Sequence, residues 1–343
     1  MNWSIMHGSA RELMAKFPAR SIHAIATSVP FFLQRDYEVE GAFGQESTRT
    51  EWSSRLVEDM NVARDILRDD GTAFLHVGET HITKKCDLPL GDVSLQAFYL
   101  AEDLRKDGWS IKSMIVIHIT NPAPTSPHNR PVQTHQYGIL LAKSKNEYYY
   151  DYITSKEPGV AHDRLLRSVW TGQTEKEWKD PVSGFEHGST YPSWIPDRYL
   201  KAAICEGGVC ANCGAPRKAV VKEATGGTTG KSWLTHLKDG QDLVRGNAKT
   251  GSSKDYVPAS IVGWKQRCDC KKSPVAKPLV LDPYTGKSST GIAALNQNCM
   301  FVGIDLDQRA VESSRRRLSE HDASLPLFDS QRASRRQSRM FRA

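Results

Sequence analysis

Apolar positions in this chain fall into short runs separated by amphipathic stretches. Ser4 to Met6 and Ser21 to Ala26 are of strand length, and between them Ala10 to Phe17 has helical spacing, closed by Pro18. Glu51 to Arg68 is the clearest helix: Trp52, Leu56, Met60, Ala63 and Leu67 recur on one face, and Asp69-Asp70-Gly71 ends it. A strand over Thr72 to Val77, a helix over Leu95 to Lys106, and strands over Ile111 to Ile119 and Tyr137 to Lys143 follow. The tyrosine-rich stretch Asn146 to Tyr152 reads as packing or edge-strand residues, and Asp197 to Cys205 as a helix. Near the end the pattern tightens. Leu279 to Leu281 is a strand, Thr290 to Gln297 a helix of small residues, Met300 to Ile304 a second strand ending in Asp305, and Gln308 to Leu318 a basic helix. This alternation predicts an α/β protein built on an open sheet, whose chemistry lies at the carboxyl ends of the strands.

Two strand ends carry candidate chemistry. The turn after Leu281 holds Asp282, Pro283, Tyr284 and Gly286 and opens a helix, so its backbone N–H groups can face a polar or anionic ligand. Asp305, at the end of the next strand, is placed to hold two ribose hydroxyls. The strand ending at Ala26 runs into Thr27-Ser28-Val29-Pro30-Phe31.

Composition narrows the class. With 343 residues, 39% hydrophobic and 25% charged, the chain suits a globular protein with a full core. It has no apolar run of about 18 residues, so no membrane span is expected, and the N-terminus lacks a secretory pattern; a cytoplasmic location is the expectation. A net charge of +7 suits a polyanionic partner. The seven cysteines are an odd number without an export signal, which argues for thiols and metal ligands rather than a disulfide framework. Cys210 and Cys213 form a C-x2-C knuckle, and Cys268 and Cys270 a C-x-C pair. Four thiolates from two knuckles are what a closed, structural zinc site requires. Thr225 to Ser253, between them, is rich in Gly, Thr, Ser and Lys and reads as a flexible finger.

The run Val280-Leu281-Asp282-Pro283-Tyr284-Thr285-Gly286-Lys287-Ser288-Ser289-Thr290-Gly291, followed by Gly303-Ile304-Asp305, resembles the cofactor-binding end of S-adenosylmethionine-dependent DNA amino-methyltransferases. Thr27-Ser28-Val29-Pro30-Phe31 resembles their T-S-P-P-Y/F motif, typical of cytosine-N4 members. Asn121, Pro122, Pro124, Ser126, Arg130, Pro131, His135 and Tyr137 match a family loop in order, with Gln136 in place of its acid. Arg35-Asp36-Tyr37 to Glu46, Arg167 to Trp170, and Tyr191-Pro192 match further segments. The resemblance covers about residues 1–318, with the catalytic half first. It implies a Rossmann-like seven-stranded methyltransferase sheet, circularly permuted, made of residues 1–204 and 274–318, with a zinc-ribbon insert at 205–273 and a basic disordered tail at 319–343. It further implies that Ser28 and the Val29 carbonyl hold an exocyclic amino group, with Pro30 shaping the turn and Phe31 stacking on a flipped base. Ser9, Asp282, Pro283, Tyr284, Gly286, Lys287, Ser288, Asp305 and Pro192 would hold the cofactor. Asn121, Arg130 and His135, within a recognition region at 120–190, would meet double-stranded DNA. The resemblance leaves room for a homodimer and for a cognate restriction enzyme.

The chain departs from the family pattern in four places. Ser9 stands where an acid usually contacts adenine, Val29 replaces a proline, and Lys287 and Ser288 replace Ser-Gly in the cofactor turn. The Lys287 ammonium is positioned either to block the site or to pair with a cofactor carboxylate. Two readings follow: cytosine-N4 methylation favoured over adenine-N6, or a catalytically degenerate or altered-cofactor DNA-binding protein of the same fold.

Overall fold

The computed structural model describes residues 2–122, 127–158, 164–176, 178–185, 191–222 and 260–325. The finger at 225–253, the loop positions Pro124 and Ser126, and the tail from 326 onward lie outside the described residues. Elements follow in chain order: β1 (Trp3–His7), α1 (Ala10–Met14), β2 (Ile22–Ser28), α2 (Arg49–Ile66), β3 (Leu67–Val77), α3 (Gln96–Lys106), β4 (Ser110–Ile119), β5 (His135–Ala142), β6 (Val169–Gly172) and α4 (Trp194–Ala203). The short strands β7 (Val209–Cys210), β8 (Lys218–Lys222), β9 (Ser260–Lys265) and β10 (Val275–Ala276) come next, then β11 (Leu279–Asp282), α5 (Ser289–Asn296), β12 (Met300–Asp305) and α6 (Gln308–Ser324).

The main sheet has the order β1-β12-β11-β2-β3-β5-β4-β6. Only β5 runs against the other seven, since β3 and β4 both pair with it antiparallel. The Rossmann-like architecture is as expected, with eight strands rather than seven. The added strand is β6, from the Arg167–Trp170 region; Val169 to Gly172 pairs in parallel with Val116 to Ile119. Its four-residue length hides the strand, because an edge strand with one exposed side needs no long apolar run.

Alternation on the strands builds the two halves of the core. Ile25, Ala73, Leu75 and Leu281 face Met14, Trp52, Leu56, Met60, Ala97, Leu100 and Leu104 of α1, α2 and α3. Ala24, Ala26, Phe74 and Val280 face Ile195, Leu200, Ala293, Leu295, Val311 and Leu318 of α4, α5 and α6. Helix α2 does not end in a turn at Asp69-Asp70-Gly71. It passes directly into β3, because Leu67 already pairs with Ile22 and the Asp70 carbonyl accepts the Tyr149 N–H at 2.8 Å. Thr48 caps α2 by accepting the Glu51 N–H at 3.0 Å. Helix α6 runs six residues past the expected Leu318. Among the described residues no helix is long and apolar enough to cross a membrane.

Strands β7 and β10 pair antiparallel, as do β8 and β9. This unit is tied to the sheet by His23, half-buried at the start of β2. Its Nδ1 accepts the Leu279 N–H at 3.0 Å, so its Nε2–H donates to the Gly214 carbonyl at 3.2 Å. Arg68 adds a bond of 2.6 Å to the Cys213 carbonyl.

Gly138, on β5, shows how tightly the sheet packs. A Cβ there would come within 2.4 Å of the Phe74 ring, which is itself stacked between Trp170 and Tyr199. Gly138→Ala is expected to cost about 1–3 kcal/mol through overpacking, read as a lower denaturant midpoint with an unchanged slope.

Candidate active site

Four parallel strands, β1, β12, β11 and β2, end on the same side of the sheet. A cavity of about 540 Å³ opens there, within the range of small-molecule sites. Ser9, Ser28, Val29, Pro30 and Phe31 line it, as do Pro283, Tyr284, Gly286, Lys287 and Asp305. Asp282 and Ser288 lie buried beneath its wall. Pro192 is not among the lining residues, but its neighbour Tyr191 is. Asn121, Arg130 and His135 stand outside the cavity. Thr174 uses both ends of the Asn121 amide, Arg130 donates to His81 Nε2 at 3.1 Å, and His135 Nε2 lies 3.1 Å from the Tyr137 hydroxyl.

The turn after β2 is pinned from three directions. The Val29 N–H donates to the His76 carbonyl at 3.2 Å, Trp52 Nε1 donates to the Pro30 carbonyl at 2.9 Å, and the Phe32 N–H donates to Gln96 Oε1 at 2.6 Å. The first bond bears on the Val29 departure. Proline has no N–H to give, so valine gains an anchor in exchange for the fixed φ. Gly78 leaves room for the Phe31 ring, which a Cβ there would approach to 2.5 Å.

The turn after β11 is organised by Asp305. Its carboxylate accepts the Gly286 N–H at 2.8 Å and the Asp307 N–H at 2.9 Å. Helix α6 holds the turn's carbonyls: the Ser314 hydroxyl donates to Gly286, and Arg317 donates to Lys287 at 2.7 Å. Ser288 adopts φ 56°, in the left-handed region where glycine is at ease, and its hydroxyl pairs with that of Thr285 at 3.0 Å. The Lys287 ammonium donates to the Trp178 carbonyl at 2.7 Å, 5.9 Å from the centre of the Phe185 ring. The Ser289 hydroxyl, on the cavity wall, is buried with no partner among the described residues. A buried orphan donor on the wall of a ligand-sized cavity fits a polar ligand.

Several lining residues carry no signal in the strand ends. Arg55 reaches from α2 to the Gly41 carbonyl at 2.8 Å and lies over the Phe43 ring at 4.3 Å, so the 37–43 loop closes one side of the cavity. Asp59 accepts the Tyr284 hydroxyl at 2.7 Å and Arg11 Nε at 2.7 Å. These positions are one polar turn of an otherwise apolar-faced helix, and the helical pattern alone reads them as solvent-facing. His76 is the other. It is buried, stacks on Tyr191 at 5.2 Å, and stands between Ser28 and Gln136. The sequence suggests only a locally satisfied histidine there.

The family is decided by comparison. A family model described as a DNA methylase, of the N6/N4 type, matches residues 22–213, more than half of the chain. The chain belongs to the N6/N4 family of DNA methylases. Type II methyltransferase M.Cfr9I of Citrobacter freundii is 29% identical over 213 residues, spanning 55% of this methylase and 69% of that relative. Among solved structures, the cytosine-N4-specific PvuII DNA methyltransferase superposes with a TM-score of 0.61 at 14% identity, covering 97% of this chain and 91% of that one. TTHA0409 of Thermus thermophilus, complexed with S-adenosyl-L-methionine, superposes with a TM-score of 0.55 at 16% identity, covering 94% and 96%. At such identities these two likenesses show the fold of the methylase.

Burial raises the Asp305 carboxyl from its ordinary range to about 6, against the pull of the Asp307 and Gly286 N–H groups. A carboxyl whose folded value lies above its unfolded one binds its proton more tightly when folded. Its cost to stability is therefore fully present above pH 6 and is relieved as pH falls towards 4. The native unfolding free energy is expected to carry a penalty that appears as pH rises from 4 through 6, and Asp305→Asn, which cannot titrate and gives up one of the two N–H acceptors, is expected to lack that pH dependence in denaturant titrations.

Proposed function

We propose that this DNA methylase transfers a methyl group from S-adenosylmethionine to the exocyclic N4 amino group of cytosine. The observation that carries this reading is that the Thr27–Phe31 turn and the Gly286 turn open into one cavity. Bound S-adenosylmethionine supplies a methyl group activated on a sulfonium. Asp305 is the acceptor for its ribose hydroxyls, the Gly286–Ser288 turn and Ser289 lie towards its methionine part, and Ser9, Pro283, Tyr284 and Tyr191, in place of Pro192, shape the walls. Asp282 supports the turn from below, accepting the Tyr284 N–H at 3.1 Å.

The amino group is a poor nucleophile, because its lone pair is delocalised into the base. Ser28 and the Val29 carbonyl accept its two N–H bonds and hold the nitrogen in a geometry where the lone pair is localised. Phe31 stacks on the flipped base. Rate comes from positioning and the exclusion of water. A serine at this position, after Thr27, favours cytosine N4 over adenine N6. The Lys287 contact with Trp178 favours catalysis over the degenerate reading, since the ammonium is engaged on the 178–185 segment rather than across the turn. Asn121, Arg130 and His135 remain the candidate contacts to double-stranded DNA, in keeping with the charge of +7.

Residues 205–273 are read as a zinc-ribbon insert on a methyltransferase domain formed by 1–204 and 274–318. The sulfurs of Cys210, Cys213, Cys268 and Cys270 all lie within 4.8 Å of one another. Zinc–sulfur bonds of about 2.3 Å in a tetrahedron need sulfurs about 3.8 Å apart, so the cluster fits with small adjustment. Four sulfur ligands leave no open position, which makes the role structural.

Nucleoside mass spectrometry of DNA from a modification-free bacterial host expressing the protein tests the reaction. N4-methylcytosine is expected with the native chain and absent with Ser28→Ala; N6-methyladenine would reassign the base, and no modified base from folded protein would favour the degenerate reading. Metal analysis of the purified protein is expected to find about one zinc per chain, and its removal by a chelator is expected to lower the thermal midpoint by several degrees. A metal-free protein of the same stability would remove zinc from the account.

A further inference from the structure

His76 sits on β3 directly beside Ser28 of β2, the two being register partners in the sheet. Its Nδ1 lies 2.9 Å from the Ser28 hydroxyl oxygen, and its Nε2 lies 2.7 Å from Gln136 Oε1 on β5. The ring cannot turn away. Tyr191 stacks on one face with 14° between the planes, Phe31 meets it edge-on at 5.7 Å, and only 2% of the residue is exposed. A neutral imidazole has one donor and one acceptor nitrogen. An amide oxygen at Nε2 requires the proton there. Nδ1 is then the acceptor, and the Ser28 hydroxyl must be the donor to it.

We propose that His76, locked in this tautomer by Gln136, is a positioning residue that fixes the polarity of Ser28. With its own proton held by Nδ1, the Ser28 oxygen presents only lone pairs to the cavity. A target amino group, which can only donate there, is accepted without competition from the serine's own hydrogen. The proposal rests on the reading of Ser28 as the amino-group acceptor. It also gives Gln136 a purpose in this chain. The family loop resembled in the sequence has an acid at that position, and a carboxylate beside Nε2 would favour an imidazolium, whose second proton on Nδ1 would turn the serine hydrogen back towards the target.

The surroundings agree. Burial lowers His76 to about 4, with only the Gln136 bond opposing it. The titratable group facing the ring is Tyr191, itself held protonated by burial, with its hydroxyl on Thr290. The remaining neighbours, Ser28, Phe31 and Gln136, carry no charge. The imidazole is thus neutral from pH 6 upward.

Methyl transfer from labelled S-adenosylmethionine to unmodified genomic DNA separates the possibilities, with Ser28→Ala, His76→Phe, His76→Asn and Gln136→Glu compared from pH 6 to 8.5. His76→Phe is expected to lower kcat on the order of 10²-fold with little change in KM for S-adenosylmethionine. His76→Asn, whose amide oxygen can accept the serine proton, is expected to recover most of that loss. Gln136→Glu is expected to stay within about threefold of the native rate at pH 8.5 and to fall about tenfold or more by pH 6, where the native profile shows no such fall. His76→Phe with the native kcat, or a Gln136→Glu profile parallel to the native one, would overturn the proposal; the second readout stands even if the phenylalanine variant does not fold. If Ser28→Ala keeps its activity, the reading of Ser28 fails and this proposal with it. If Ser28→Ala is inactive and His76→Phe is not impaired, only the histidine's role is lost.

Discussion

Parallel pairing through β1, β12, β11 and β2 is the constraint on which the rest of the molecule depends. Because the four strands point the same way, the chain must leave each at the same edge of the sheet. Gly8 and Ser9, the Ser28–Phe31 turn, the Gly286 turn and Asp305 are brought together for that reason. None of them is near all of the others in sequence. Side-chain chemistry then refines what the topology has gathered: Asp305 ties two backbone N–H groups into the wall, and helix α6 fixes the carbonyls of the same turn.

The departures from the family pattern read differently once their neighbours are known. Val29 uses the N–H that a proline lacks. The Lys287 ammonium is taken up by a main-chain carbonyl in the 178–185 segment, which is tied in turn to α6 by the Arg316 and Asp180 ion pair. A long cation in the Gly286 turn thus becomes a strut between the turn and a neighbouring loop. Ser288 keeps the left-handed backbone that a glycine would adopt freely, and its hydroxyl finds Thr285.

Much of this was legible in the sequence. Strand ends and turn residues announce themselves through short apolar runs followed by polar, glycine- or proline-bearing stretches, so Ser28, Gly286 and Asp305 could be named with their surroundings. The elements of the sheet were visible for the same reason, with β6 missed because half of an edge strand faces water. The side chains that reach the cavity from elements of other character were not visible. Asp59 and Arg55 lie on a helix whose apolar face dominates the pattern, and His76 lies inside an apolar strand. A single polar residue in such a strand reads as a local exception until the register places it against Ser28. The pairing of strands far apart in the chain is the information that local periodicity lacks.

That distance matters while the chain is being made. The bond between His23 and the Leu279 N–H, beside the pairing of β2 with β11, spans 256 residues. At translation rates of roughly 5–20 residues per second, β2 waits on the order of 13–50 s for its partner to be synthesised. Throughout that interval its Ile22 to Ala26 edge is an unpaired, apolar strand in the middle of what will be the sheet. The N-terminal half therefore emerges as an incomplete template until β11 pairs with it. An arrangement that puts the Thr27–Phe31 turn first and the Gly286 turn last lets neither half finish its core before nearly the whole chain has been made.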